Sequence, residues 1–407
     1  MTNNKDKQQI KKLKEIRWIP LSLFFPDTRH PSPVTYFCHG SLVTLLASII
    51  LFIFVNPAGS EKNPNYKPAL PGWKYEFPRD HRVHREFKTE WWYYNGYLRG
   101  PEGKRFGYQV TFFRVGLIPD SIPKTGSRWH IREVYMTHLA VTDINHKTFL
   151  YQEKAGRANL GLAGADKDQY RVWVEKWQVI EEGKGHQIRA GDGDLSLSLK
   201  IIPTLPPLIH GVNGISRKGD GIGRASHYYS MTRMETKGQI KIKGKKFQVS
   251  GLSWMDHEFG SNQLQETQIG WDWFSLQLDN GLDLMIYQLR HEDGRVDPNS
   301  SGTLAGPDSR KIHLALSEIK IRVLNLWKSP RSGAIYPASW EIYLPQHDLR
   351  LTLVPLTADQ ELMTPNSTRI TYWEGIVKVR GSYKGRIVEG SGYVEMTGYD
   401  RRFRPKI

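Results

Sequence analysis

The chain has 407 residues, too many for one ordinary hydrophobic core, so two domains are expected. Its formal charge of +16 is not concentrated in a basic cluster beside a nucleic-acid motif, which excludes nucleic acid as the partner. The sole cysteine, Cys38, lies ahead of the body and leaves no disulfide, thiol catalysis or cysteine-based zinc site there.

Residues 1–60 come first, with Lys5, Lys7, Lys11, Lys12, Lys14 and Arg17 ahead of an apolar run from Leu42 to Val55 that only Thr44 and Ser48 interrupt. That run has the length of a signal-peptide core and falls short of the ~20 residues that usually span a bilayer. Ala58-Gly59-Ser60 resembles a small-residue cleavage site, which would start the mature chain near Glu61. The basic lead-in is long for a signal, so an uncleaved anchor with its N-terminus inside stays open. Both readings export the body to a periplasmic or other extracytoplasmic space, with membrane contact through 42–55.

After the linker Asn63–Pro71, Lys88–Arg99 (KTEWWYYNGYLR) reads as an aromatic strand paired with Arg105–Val115. Alternation puts Trp91, Tyr93 and Asn95 on one face and Glu90, Trp92, Tyr94 and Leu98 on the other. Glu90 is therefore an inward-acid candidate, with a rim salt bridge as its structural alternative. Strand patterns follow at Val134–Asp143, Thr148–Gln152, Tyr170–Val179, His186–Ala190 and Leu195–Ile202. His138 reads as a hydrogen-bonded core residue. The glycines of Gly211–Gly223 have no strand-to-helix phosphate loop around them and read as a flexible connection. His227–Glu235 and Gln239–Val249 form the next hairpin.

Residues 251–290 (GLSWMDHEFGSNQLQETQIGWDWFSLQLDNGLDLMIYQLR) carry the densest chemistry. In Leu252–Phe259, Trp254, Asp256 and Glu258 share one face and Met255, His257 and Phe259 the other. The ionisable trio suits an acid/base set or a buried network. Metal ligation is disfavoured, because neighbouring strand residues diverge and no HExxH or paired-Cys spacing occurs. Asn280-Gly281 predicts a two-residue type I′ hairpin that pairs Asp279 with Leu282. Asp272, Phe274, Leu276 and Leu278 then oppose Asp283, Met285, Tyr287 and Leu289. Asp272 among apolar neighbours has its charged form disfavoured, as a general acid requires; pairing with an Arg is the alternative.

Ile312–Leu324, Ala338–Leu344, Leu349–Val354, Thr371–Val379 and Gly392–Gly398 continue the short strand pattern, without long helical periodicity. The first aromatic hairpin echoes Trp271-Asp272-Trp273-Phe274 and its partner run, which suggests a duplicated barrel. The expected fold is all-β: two tandem antiparallel barrels, 73–250 and 251–407, with aromatic walls around an apolar ligand.

KTEWWYYNGYL, SHYYSMTRM, GLSWMDHEFGSNQL, GWDWFSLQLDNG and the terminal SGYVEMTGY occur in the order found in the AttH-type family, which includes carotenoid 1,2-hydratase (hydroxyneurosporene synthase) relatives. The resemblance spans Trp73 to Tyr399 and implies two lipocalin-like barrels. It also implies one of two roles: a binding protein for a lipid or isoprenoid-like molecule, serving an ABC permease, or a cofactor-independent hydratase. A hydratase needs a carboxylic acid to protonate an alkene and aromatic faces for the resulting cation. Asp272 with Trp271, Trp273 and Tyr287 is the first candidate set, and Asp256 with His257 the second. Glu90, Trp92, Trp254 and Glu258 complete the expected ligand surface. A hydrolase reading has little chemical support, since Gly251-Leu252-Ser253-Trp254-Met255 lacks the last glycine of a nucleophile elbow.

Overall fold

A computed structural model describes residues 66–122, 130–262, 264–308 and 310–404. The basic N-terminus, Cys38, the 42–55 segment and the expected cleavage site lie outside the described residues. Among those described, no helix is long and apolar enough to cross a membrane.

The first sheet begins with β1 (Thr89–Arg99), β2 (Arg105–Gly116), β3 (Glu133–Asp143) and β4 (Thr148–Arg157). It continues through β5 (Ala163–Ala165), β6 (Arg171–Val174), β7 (Trp177–Glu182), β8 (Gly185–Asp192) and β9 (Leu195–Pro203). Two short strands, β10 (Leu208–Ile209) and β11 (Ser216–Arg217), precede the long pair β12 (Ala225–Ile242) and β13 (Lys245–Gly260). Neighbours run antiparallel in the order β4-β3-β2-β1-β13-β12-β9-β8-β7-β6-β5. The sheet curls until β5 and β6 return against β3 and β4.

The second sheet holds β14 (Gln268–Leu278), β15 (Asp283–His291), β16 (Ser301–Ala305), β17 (Lys311–Ala315) and β18 (Lys320–Lys328). Its other members are β19 (Ile335–Leu344), β20 (Leu349–Pro355), β21 (Glu361–Met363), β22 (Thr371–Tyr383) and β23 (Arg386–Thr397). The order is β17-β16-β15-β14-β23-β22-β20-β19-β18, again antiparallel. The fold is thus all-β, with two curled, lipocalin-like sheets as expected.

Three details of the expected pattern change. The sheet switch falls between Gly260 and Gln268, so a domain boundary at 250/251 would cut β13, whose residues pair with β1 from Thr89↔Gly260 to Arg99↔Ser250. Tyr170–Val179 is a hairpin instead of one strand, turning where Glu175 takes φ 54°. Ile312–Leu324 is broken by a short 3-10 turn at Leu316–Glu318.

Register at Asn280-Gly281 also differs. Of this pair only Gly281 has positive φ (86°), and Leu278 pairs with Leu282 across a three-residue loop. This is a turn closed by a glycine bulge, and it slips the ladder by one residue from a two-residue type I′ register. Asp272 therefore faces Gln288, and Trp273 faces Tyr287. Two-residue hairpin turns with consecutive positive φ occur instead at Lys243-Gly244 (48° and 80°), joining β12 to β13 where the sequence pattern placed strand, and at Lys384-Gly385 (48° and 72°), joining β22 to β23.

The first barrel is filled by its own side chains: Trp92, Tyr94, Leu98, Tyr108 and Phe112 are wholly buried and pack together. It does not have the hollow interior the sequence suggested around these residues. A second core joins Phe274, Leu276, Trp340 and Trp373 inside the second sheet. Between the sheets lies a third, aromatic layer of Tyr93, Tyr228, Trp254, Trp273, Tyr287 and Tyr393. The sheets come this close partly because Gly107 in β2 lacks a Cβ; one built there would stand 2.6 Å from the Tyr393 hydroxyl. Hydrogen bonds pin the layer, including His138 Nδ1 with the Tyr372 hydroxyl (2.8 Å) and Thr142 Oγ1 to Gln360 Oε1 (2.7 Å).

Candidate active site between the two sheets

Strand alternation sorts the expected site residues into three places. Glu90, Trp92 and His257 point into the first barrel, since β1 and β13 pair Trp92 with His257. Trp254, Asp256, Glu258, Trp271, Trp273 and Tyr287 point into the layer between the sheets. Asp272 points the other way from Trp271 and Trp273, toward the second sheet's own core. It therefore cannot share a pocket with Trp271, Trp273 and Tyr287, and that expected set is corrected on the strand's period of two.

Asp272 is buried, and burial pushes its carboxyl upward. Arg290 Nε at 3.1 Å and the Tyr399 hydroxyl at 3.0 Å pull it back. The Arg290 guanidinium stacks 3.9 Å above the Tyr399 ring. The arrangement is a paired structural carboxylate at the end of the second sheet.

The barrel-one group is a charged clamp. Glu90 Oε1 accepts from His84 Nδ1 (2.9 Å) and His257 Nε2 (2.8 Å), while His84 Nε2 reaches Asp80 Oδ1 at 3.1 Å. The Tyr229 hydroxyl lies 3.0 Å from His257 Nδ1 and 2.7 Å from His81 Nδ1. Burial alone would raise Glu90, but the two imidazoles bring it down to about 2. Burial would likewise lower His84, yet its two carboxylates lift it to about 9. A carboxyl held this low donates no proton near neutrality, so Glu90 does not fit a general acid. The group ties the segment carrying Asp80, His81 and His84 across the barrel, with His84 stacked 3.7 Å from Phe259 and Trp92 Nε1 donating to the His81 carbonyl at 3.1 Å. His84, Glu90 and His257 offer a compact set of ligand atoms, but each is already engaged in this network.

The inter-sheet layer has different electrostatics. Asp256 Oδ1 accepts from Trp254 Nε1 (2.6 Å) and from the Ser230 hydroxyl, and Oδ2 accepts from the Tyr228 hydroxyl (2.6 Å). Burial pushes this carboxyl up to about 7 against those donors, with the charge of Glu258 adding to the rise. Trp273 Nε1, from the other sheet, donates to the Tyr228 hydroxyl at 3.0 Å. On the facing strand Glu395 accepts from Trp271 Nε1 (3.0 Å). Burial raises Glu395 to about 7, helped by the charges of Asp256 and Glu258. Its ladder partner Glu374 is raised further by burial and by Glu395. Glu374 and Glu395 escaped the sequence reading, although each stands as one acid in an otherwise apolar, aromatic strand (TYWEGIV and SGYVEMTGY).

Lys218 Nζ lies 3.1 Å from Glu258 Oε1 and 3.8 Å from the Tyr287 ring centroid. The Tyr287 hydroxyl reaches the Arg217 carbonyl (2.7 Å) and accepts from Ser301 (3.0 Å). Arg217 and Ser301 also line a surface cleft of about 640 Å³, so its floor adjoins the acid layer. Gly211–Gly223, read from the sequence as a flexible connection, forms one wall of this cleft through β11 and the residues after it. The layer is closely packed: Trp254 and Tyr228 keep 1% exposure and Asp256 3%, while Tyr93 and Trp273 at its margin keep 7%.

Such a layer can exchange protons near neutrality: one carboxyl can be protonated while its neighbour is charged, because like charges in a dry site resist joint ionisation. The fold recurs in a known protein group. A family model described as AttH-like matches residues 68–399. The crystal structure of a Nitrosomonas europaea protein assigned to AttH superimposes with a TM-score of 0.74 at 31% identity, covering 82% of this chain and 99% of that one. Kievitone hydratase from Nectria haematococca shares the fold at TM-score 0.64 and 13% identity, covering 82% and 98% of the two chains. A dehydratase of Emericella nidulans, asqC, is 21% identical over 249 residues; the match spans 59% of this chain and 65% of that relative's length. With the family model running from before the first strand to beyond the last, the chain belongs to the AttH-like family.

Proposed function

We propose that the protein is an acid–base hydratase or dehydratase acting on an apolar substrate in the layer between its two sheets. The observation that carries this reading is Asp256, buried between Trp254, Tyr228 and Trp273 with a second carboxyl, Glu395, on the facing sheet. In the hydration direction the Asp256 O–H proton bonds to one alkene carbon. The faces of Trp254, Trp273 and Tyr228 stabilise the cation left on the neighbouring carbon. Water adds to that carbon and gives its proton to the Glu395 carboxylate. The reverse sequence eliminates water. Kinship with a dehydratase, and the fold shared with kievitone hydratase, support the reaction class.

The test incubates the full chain with acyclic carotenoids and with tertiary alcohols in 18O-labelled water and follows the label by mass spectrometry. Exchange or incorporation by wild type that Asp256→Asn abolishes supports the reading. Equal labelling by wild type and variant overturns it.

A second reading is a carrier, exported through the 42–55 segment and passing an apolar ligand to an ABC permease. The exposed apolar rim of the cleft favours it, with Ile222 90% exposed. Co-purifying lipid recovered chemically unchanged after incubation, without label, is its expected signature.

A further inference from the structure

The cleft that opens above Tyr287 has a chemical character of its own. Leu70, Val212, Ile215 and Ile222 supply an apolar wall, and three of these are exposed large hydrophobics. Arg217, Arg224 and His313 supply the basic groups, and none of the described lining residues is a carboxylate. Arg217 is exposed and makes no ion pair among the described residues. Arg224 spends one nitrogen on the Leu264 carbonyl (2.7 Å) and likewise meets no acid. Asp220 and Asp297 accept from Asn299 Nδ2 at 3.2 and 2.9 Å, and Glu318 is the acid that acts on His313. Two arginines without counter-ions among the described residues, beside an apolar wall, form an incomplete site, because a guanidinium fork matches a carboxylate or phosphate and an apolar wall matches a hydrocarbon body.

We propose that this cleft binds an amphiphile bearing one anionic group, with Arg217 holding the anion and the Leu70–Ile215–Ile222 wall holding the chain. This rests on the proposed function only in taking the cleft as the way into the acid layer, and it narrows the substrate from any apolar alkene to an amphiphilic acid. The carboxylate or phosphate stays at the mouth while the hydrocarbon body extends over Ser301 and Tyr287 toward Lys218 and Asp256.

The test titrates the full chain with cis-parinaric acid, a fluorescent long-chain fatty acid, and with its uncharged methyl ester. The acid is expected to bind at least ~10-fold tighter than the ester in wild type, as a charge-assisted contact would give. Arg217→Gln should reduce acid binding to the level of the ester, Arg217→Lys should restore part of it, and Ile222→Ser should weaken both ligands. Thermal melting of Arg217→Gln should match wild type, which keeps misfolding apart from loss of the anchor. Acid and ester binding alike, or an Arg217→Gln variant that binds the acid as wild type does, overturns the proposal. Phosphatidylglycerol vesicles form a separate arm: Arg217-dependent cosedimentation without binding of the monomeric acid would assign the cations to a lipid headgroup and also overturn it. In the same titration Asp256→Asn should keep the preference for the acid over the ester, so failure of the anion anchor and failure of the chemistry are read separately.

Discussion

Trp273 and Tyr228 meet across the gap between the sheets, the indole N–H donating to the phenol oxygen at 3.0 Å while the phenol donates onward to Asp256. A residue of β14 thus helps set the state of an acid on β13, and the acid is complete only when both sheets are in place. Neither sheet alone would bury Asp256, and burial is the largest cause of its raised pKa.

The first prediction separates the two aspartates. Asp256→Asn should lower turnover by ~10²–10⁴, the usual contribution of a positioned general acid. Asp272→Asn should leave turnover unchanged, because Asp272 faces the other way and is held by Arg290 and Tyr399. Arg290→Ala should instead cost stability, about 3–5 kcal/mol if Asp272 stays charged. Steady-state rates and chemical denaturation of the three variants check this; loss of turnover in Asp272→Asn with retained stability would refute it.

A second prediction concerns pH. Hydration that depends on protonated Asp256 should fall as pH rises through about 7. Tyr228→Phe removes a hydrogen bond that favours the carboxylate, so the falling limb should move to higher pH with the fold intact. A pH–rate profile measures this, and a limb that moves downward or stays in place contradicts the assignment.

The sequence showed the strand faces well wherever a long run alternated. Trp91/Tyr93 against Trp92/Tyr94, and Asp256 against His257, fall on opposite faces as read, since a period of two needs no tertiary information. It misled at Asn280-Gly281, where the dipeptide suits either a type I′ turn or a glycine bulge. The one-residue difference decides which side chains face Tyr287. It also could not show that Asp80 and His84, from a segment without strand pattern, would reach Glu90 and turn an acid candidate into a clamp. Glu374 and Glu395 were visible only as letters, because burial between the sheets is what chiefly raises them, with Asp256 and Glu258 of the other sheet adding to the rise of Glu395.

The clamp supplies a third prediction. Glu90→Gln removes the shared partner of His84 and His257 and leaves Arg114, 3.7 Å away, with less counter-charge. Breaking one partner of a buried ionic network costs about 3–5 kcal/mol. Urea denaturation should register a loss of that size, and a loss below 1 kcal/mol would mean that water or another group replaces the carboxylate.

The last prediction follows from the sign of the His84 shift. Its folded pKa is raised to about 9 from an ordinary 6.5, since the Asp80 and Glu90 carboxylates outweigh burial. A raised base binds its proton more tightly in the folded state, so the stabilisation is fully present below pH 6.5 and disappears as pH climbs through 9. Asp256 and Glu395 act earlier: their raised carboxyls give stabilisation that is complete below pH 4 and lost by about pH 7. The two windows can be told apart with variants. His84→Gln should be less stable than wild type at pH 6, and the gap should narrow steadily toward pH 9.5. Asp256→Asn should gain on wild type between pH 4 and 7, with little further change above. Thermal denaturation of the three proteins across this range reads both effects, and a His84→Gln gap that widens with pH would show that His84 is neutral in the folded protein.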